Sequence, residues 1–284
     1  MLSYRHAFHA GNHADVLKHV LLVELIRHLR QKDKAFWVID SHAGAGQYSL
    51  NSGYATRLAE YVDGIGRLWP RRDLPPAVEN YVQRVRLANP DGQLRLYPGS
   101  PRFALAMLRG QDRLRLFELH STEARLLREE FAACGRQVHI EAADGYAGLR
   151  ALLPPPPRRG LILIDPSYEE TADYNRVIAA LGDGLERFAT GIYALWYPLL
   201  GKRQAIALPQ KLKQLPQLAT GRWLNVTLRV REVAADGFGM AGSGMFVANP
   251  PWQLAQTLRE TMPYLAGSLA QDATAGFTLE EGGL

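Results

Sequence analysis

Four large apolar residues in a row, Leu161-Ile162-Leu163-Ile164, stand between an Arg158-Arg159-Gly160 turn and the tetrapeptide Asp165-Pro166-Ser167-Tyr168. A strand with no polar face has to be covered on both sides, as in the middle of a parallel sheet flanked by helices. This restricts the chain to α/β architectures. In an open α/β sheet ligands sit beyond the carboxyl ends of the strands, so Asp165 and Tyr168 fall where a substrate would lie. An Asp, a proline turn with exposed carbonyls and an aromatic ring suit a planar base that carries an exocyclic amine. Residues 167–170 also fit a capping box, in which Ser167 and Glu170 satisfy the free amides of a helix that starts directly after the strand. On the second reading the stretch is a strand-to-helix turn and nothing more.

The rest of the chain repeats the alternation. Residues 36–40 read as a buried strand that runs into Ser41-His42-Ala43-Gly44-Ala45-Gly46. Small residues there let the backbone turn tightly and approach a ligand. A dinucleotide fingerprint would place a third glycine where Ser49 stands. The spacing Asp40-x-His42-x-Gly44-x-Gly46 instead resembles the first motif of class I S-adenosylmethionine methyltransferases. Further strands are predicted at 115–119, 137–140 and 192–196, with helices at 122–133, 146–152 and 173–188 between them, which gives a parallel sheet with right-handed crossovers. Glu118 closes one strand, where a carboxylate can accept ribose hydroxyls, and Asp144-Gly145 closes the next, placed to meet an adenine. Either acid could instead cap a helix. Two last strands, 223–230 and 244–248, joined by a Gly-rich stretch, predict an antiparallel hairpin at the sheet edge.

The amino end adds a helix from Asn12 to just before Lys32, with Val16, Val20 and Val23 on one face. His6, His9, His13 and His19 match no zinc spacing and no Cys joins them, so no metal is expected and polar contacts to a ligand or to RNA are the better use. Residues 52–97 read as an inserted helical subdomain with helices at 57–69 and 77–87, within a methyltransferase domain formed by 1–51 and 98–284. Arg67, Arg71, Arg72, Arg84 and Arg86, beside Trp69 and Tyr81, would grip phosphate and stack on bases or else form a solvated charged face. Ser100, in Gly99-Ser100-Pro101, is placed as a helix N-cap.

Composition narrows the partners. The 284 residues carry 33 Lys+Arg against 28 Asp+Glu, a net +5 with a pI near 9.3, which favours an acidic partner such as nucleic acid. No apolar run approaches a membrane span and the amino end has no signal-peptide core, so a cytoplasmic protein is expected. Cys134, the one cysteine, excludes internal disulfides and Cys-rich zinc sites and reads as a small helix residue.

Asn249-Pro250-Pro251-Trp252 matches the (Asp/Asn)-Pro-Pro-(aromatic) motif of amino-methyltransferases better than Asp165-Pro166-Ser167-Tyr168 does. Position reverses the choice. The motif belongs after the fourth strand, beside the first, where Asp165 stands; Asn249 follows what should be the last strand, where Pro-Pro ends the strand and starts a helix.

Over nearly its whole length the chain closely resembles the RlmJ family of 23S rRNA (adenine-N6) methyltransferases. The resemblance is carried by residues 1–6, 11–19, 42–46, 159–166 and 191–198. It implies a Rossmann-like class I methyltransferase fold with a helical insertion, and S-adenosylmethionine-dependent N6-methylation of a specific adenine in 23S rRNA. By the same resemblance His19, His42, Ser100, Glu118, Asp144 and Gly145 contact the cofactor, Asp165 is catalytic, and Tyr4 meets the substrate beside Pro166 and Tyr168. The family pattern has a second proline where Ser167 stands, so loop rigidity is expected to fall while the acceptor, the Pro166 carbonyl and the aromatic face persist. The target adenine would be looped or flipped out and the enzyme a monomer. Two alternatives remain: a nucleic-acid-binding protein on a vestigial cofactor fold, and a DNA adenine methyltransferase linked to use of external DNA as a nutrient.

Overall fold

The computed structural model describes residues 6–51, 58–233 and 239–283. From the amino end, α1 (His13–Arg30) leads into β1 (Trp37–Asp40) and a short β2 (Gln47–Ser49). A one-turn α2 (Ile65–Leu68) and α3 (Pro76–Leu87) precede β3 (Leu96–Pro98), which pairs with β2. Helices and strands then alternate: α4 (Ser100–Leu105), β4 (Arg113–Phe117), α5 (Ser121–Glu130), β5 (Val138–Glu141) and α6 (Gly145–Leu152). β6 (Gly160–Ile164), α7 (Asp173–Arg187) and β7 (Ile192–Leu199) continue the pattern. α8 (Arg203–Lys213), β8 (Trp223–Arg229), β9 (Gly242–Ala248), α9 (Leu254–Ser268) and β10 (Gly276–Gly282) follow.

One sheet takes eight strands in the order β10-β8-β9-β7-β6-β1-β4-β5. The run from β5 to β7 is parallel. The chain steps outward from β1 to β4 and β5, then returns to the other side of β1 with β6, so the loops after β1 and β6 meet at the switch point where such sheets bind ligands. β6 explains its own composition. All its residues are buried, Leu161 and Leu163 in the core on one face and Ile162 and Ile164 in the core on the other. This alternation within an unbroken apolar run is what two-sided cover requires.

The first core is built on α1. Asn12 caps it, its side chain accepting from the Ala14 and Asp15 amides at 3.0 Å each, and Leu17, Leu21 and Leu25 are fully buried. Ile65, Val78, Tyr81, Val82 and Val85 of the 52–97 stretch join the same core. The helix predicted at 57–69 is interrupted. Gly64, with φ −115° and ψ −112°, lies so close to Gly11 that a Cβ would stand 2.0 Å from the Gly11 carbonyl oxygen, and a 3₁₀ turn and α2 form on either side of it. The arginines of this stretch are mostly engaged within the chain: Arg67 with Asp63, Arg71 with Asp73, and Arg86 with the Trp69 and Arg71 carbonyls. Tyr81 is fully buried with its hydroxyl on Tyr97, so it cannot stack on a base.

The carboxyl-terminal part extends the sheet further than the sequence predicts. β8 and β9 are antiparallel, but β9 lies between β7 and β8, and β10 forms the outer edge. β10 leaves both faces largely exposed, so it lacks the apolar alternation that marks a half-buried strand. α8 carries Pro209 inside it and was equally illegible.

Because β9 is antiparallel, Ala248 pairs with Tyr193 at the start of β7, and Asn249 lies at the sheet edge opposite Asp165. Its backbone is left-handed, φ +54°, and its side chain donates to the Ala189 and Gly191 carbonyls at 2.7 Å each. Asn tolerates that conformation better than most residues. Asn249→Ala should therefore lower unfolding free energy by about 1–3 kcal/mol and leave S-adenosylmethionine affinity unchanged. Lost affinity with unchanged stability, read by calorimetry and denaturant titration, would put Asn249 in the site instead.

Candidate active site

A cavity of about 750 Å³ opens at the carboxyl ends of β1, β4 and β6. His19, His42, Ser100, Glu118, Asp144, Gly145, Asp165, Pro166 and Tyr168 all line it. Tyr4 lies outside the described residues. No helix follows β6 directly: α7 starts at Asp173 with Ala172 as its N-cap, so the capping box at 167–170 does not form. The loop is held by Tyr168 instead. This residue adopts φ +54°, unusual for an aromatic side chain, donates its hydroxyl to the Trp196 carbonyl at 2.8 Å, and packs its ring 4.8 Å from Tyr174 and 6.0 Å from Trp196, centroid to centroid.

The loop after β1 is tied to the neighbouring strands. Asp40, buried, accepts from the Ser100 hydroxyl at 2.7 Å and from the His42 amide at 3.2 Å. Ser100 is thus not the cap of α4; Gly99 takes that position and the serine hydroxyl serves Asp40. Burial raises Asp40 to about 6, with Ser100 acting in the opposite direction. Glu118 accepts from the Gly44 amide at 2.8 Å and the His120 amide at 2.7 Å, which holds the glycine loop against the end of β4; burial pushes its carboxyl up. Asp144 caps α6 through Oδ1, leaving Oδ2 without a protein donor among the described residues. Gly145 is required sterically, since a Cβ would stand 1.9 Å from the Ser41 carbonyl oxygen. His42 meets the Ser41 hydroxyl at 2.7 Å and the edge of Tyr146, and burial lowers it to about 4. His19 meets the Tyr97 hydroxyl through Nδ1 at 2.8 Å, while its buried Nε2 has no partner among the described residues.

The main group that sequence reasoning missed is Lys18. Its ammonium, buried, lies 2.6 Å from Asp165 Oδ2 and 2.7 Å from Asp15 Oδ1. Asp15 also takes His6 Nε2 and the Gly11 amide, each at 2.9 Å. Burial works against all three charges. His6 and Lys18 hold Asp15 well below the usual carboxylate range, and the two carboxylates hold Lys18 above the usual ammonium range. Asp165 shares that one cation with Asp15, so burial prevails and its carboxyl is raised despite Lys18. The signal was present as charged residues at 15 and 18 on a helix otherwise buried through Val23. A charge on a fully buried helix has to be paired, and its partner lies across the site.

Several polar groups of the cavity wall lack partners among the described residues, including His19 Nε2, His120 Nδ1, Tyr146 Oη and Trp196 Nε1. Buried polar atoms are normally satisfied, so their gathering around one cavity fits a polar ligand. Neutral imidazoles and an excess of carboxylates, with the Lys18 charge already neutralised, suit one that carries positive charge. Among the described residues no cluster of His, Cys, Asp and Glu is arranged to hold a metal ion.

The chain is similar to known proteins over nearly its whole length. The family model described as "Ribosomal RNA large subunit methyltransferase D, RlmJ" matches residues 33–280. Proteins named ribosomal RNA large subunit methyltransferase J are 47% identical over 98% of this chain and 98% of theirs in Escherichia coli K12. The corresponding figures in Haemophilus influenzae are 43%, 99% and 98%. The crystal structure of protein LPL1258 from Legionella pneumophila superposes with a TM-score of 0.88 at 34% identity, covering 96% of this chain and 98% of that one.

The raised Asp40 carboxyl has a thermodynamic consequence. Between its ordinary 3.8 and about 6 the folded state holds a proton that the unfolded chain has released, so this residue's contribution to stability is complete below about 4 and declines as pH rises to about 6. Relative to Asp40→Asn, the wild type should lose unfolding free energy across that interval. A difference independent of pH would show that burial does not raise Asp40.

Proposed function

The chain belongs to the large-subunit ribosomal RNA methyltransferase family RlmJ, and from that premise we propose that it transfers the methyl group of S-adenosylmethionine to N6 of a specific adenine in 23S rRNA. The observation that carries the chemistry is Asp165, buried beside Pro166 and Tyr168 at the switch point and held by Lys18. When bound, S-adenosylmethionine supplies a methyl group activated by a sulfonium centre. Glu118 would hold the ribose hydroxyls and Asp144 Oδ2 the adenine amine. The Gly44 to Gly46 loop and Gly145 would give backbone access, with His19, His42 and Ser100 completing the wall. The carboxylates around the cavity favour the sulfonium charge, while His42 and His19, kept neutral by burial, do not repel it.

The exocyclic amine of adenine is a weak nucleophile because its lone pair is delocalised into the ring. On this reading an Asp165 oxygen and the Pro166 carbonyl accept its two N–H bonds, drawing the nitrogen toward tetrahedral geometry, and the Tyr168 ring orients the base. By the same family resemblance Tyr4 contacts the substrate. Alignment is the main contribution of the protein. After transfer the methylated amine is strongly acidic, and Asp165, raised by burial and already hydrogen-bonded to it, is the nearest proton acceptor. The adenine reaches this depth only if it is unstacked, so a looped or flipped base is the substrate. The protein works as a monomer, with residues 52–97 as an inserted subdomain.

With labelled S-adenosylmethionine and unmodified 23S rRNA, the wild type should label RNA in preference to a 2′-deoxy copy, since the 2′-hydroxyl is what distinguishes the two. Asp165→Asn should lose about 100-fold or more in turnover while cofactor affinity stays within about twofold. Equal labelling of DNA would favour a DNA adenine methyltransferase, and cofactor and RNA binding without label would favour a binding protein. Unchanged turnover in Asp165→Asn would remove that residue from the mechanism.

A further inference from the structure

Resting on the RNA reading above, we propose that the groove between α6 and α7 is a binding site for one nucleotide of the RNA strand adjoining the target adenine. This second cavity, of about 240 Å³, is separate from the catalytic one but shares Asp144, Tyr146 and Arg176 with it. A strand whose target base occupies the first cavity therefore has a direct path over Tyr146 into the second. Tyr146 marks the divide with a buried hydroxyl that has no partner among the described residues, a donor for a phosphate or ribose oxygen.

The groove has the two chemistries that a nucleotide needs. Its floor is apolar, formed by Leu149, Leu153 and Ala180. Gly184 also lines the groove and lets α7 sit close on β7 there, since a Cβ would stand 2.6 Å from the Tyr193 ring. Its rim carries three guanidiniums, Arg150, Arg176 and Arg187. Arg150 pairs with Asp183 across the groove, and Arg176 faces Glu170 and Asp173 at a loose 3.6 Å. Arg187 has no side-chain partner among the described residues, unlike Arg67, Arg71 and Arg86 of the 52–97 stretch. With Arg150 set against Asp183 and Arg176 against Glu170 and Asp173, Arg187 is the guanidinium of the rim that among the described residues has no acid beside it to compete with a phosphate. An apolar floor and a guanidinium rim fit a nucleobase and its phosphate, and the size admits one base but no base pair.

The test uses the double variant Arg150→Ala/Arg187→Ala and the groove-filling Ala180→Phe, neither of which alters a residue placed in catalysis. Binding of unmodified 23S rRNA is measured as a function of salt, together with kcat, KM and S-adenosylmethionine affinity. The double variant should bind RNA about tenfold more weakly, with a salt dependence shallower by about 0.7 for each phosphate that it no longer neutralises. Its kcat at saturating RNA and its cofactor affinity should stay as in the wild type. Arg150→Lys/Arg187→Lys should restore the salt dependence, and Ala180→Phe should weaken binding without changing it. A wild type that methylates RNA, with variants that match it in RNA affinity and salt dependence, would overturn the groove assignment alone. A wild type that neither binds nor methylates RNA would overturn the substrate reading and this inference with it.

Discussion

The arrangement depends on a single buried ammonium. Lys18 can lie buried on α1, on the same helix as the buried Leu17, Leu21 and Leu22, only because Asp15 meets it one turn back and Asp165 meets it from the end of β6. Withdrawing a charge from water costs several kcal/mol, and removing one member of a buried pair leaves the other uncompensated. The contact therefore fixes the amino-terminal helix against the switch point of the sheet. It also sets the state of Asp165, which shares its cation with a second carboxylate and so keeps more affinity for a proton than an isolated pair would allow.

The same contacts bear on Ser167, which stands where the resemblance led to the expectation of a second proline. A proline would stiffen the loop through its own ring, whereas here stiffness comes from outside: Lys18 holds Asp165, and the Tyr168 hydroxyl and ring are held by the β7 strand and Tyr174. The left-handed backbone of Tyr168 costs of order 1–3 kcal/mol and persists where the surroundings determine it. The two sides of the sheet divide the work. The core with α1 places the acid, and the core with α7 and β7 places the aromatic face.

The elements with strong periodicity were legible in the sequence. The unbroken apolar run of β6, the strands on either side of it and the helix from Asn12 follow from two-sided burial and from apolar periodicity, and they were enough to choose Asp165 over Asn249 by strand order. Elements stabilised by context were not. β10 is exposed on both faces, α8 contains a proline, and Gly64 interrupts a helix because of a backbone contact with Gly11, far away in sequence. The same division holds in the site. Acids at strand ends could be read from spacing, whereas the pairing of Lys18 with a residue 147 positions away, and of Ser100 with Asp40, exists only in three dimensions.

The most direct test of the Lys18 account is a carbon-13 NMR titration of the Asp165 carboxyl in the wild type and in Lys18→Met. If the ammonium restrains an otherwise stronger effect of burial, the carboxyl will titrate at distinctly higher pH in the variant. Identical titration in the two folded proteins would contradict the account, because Lys18 would then set neither the charge of Asp165 nor its readiness to accept an amine.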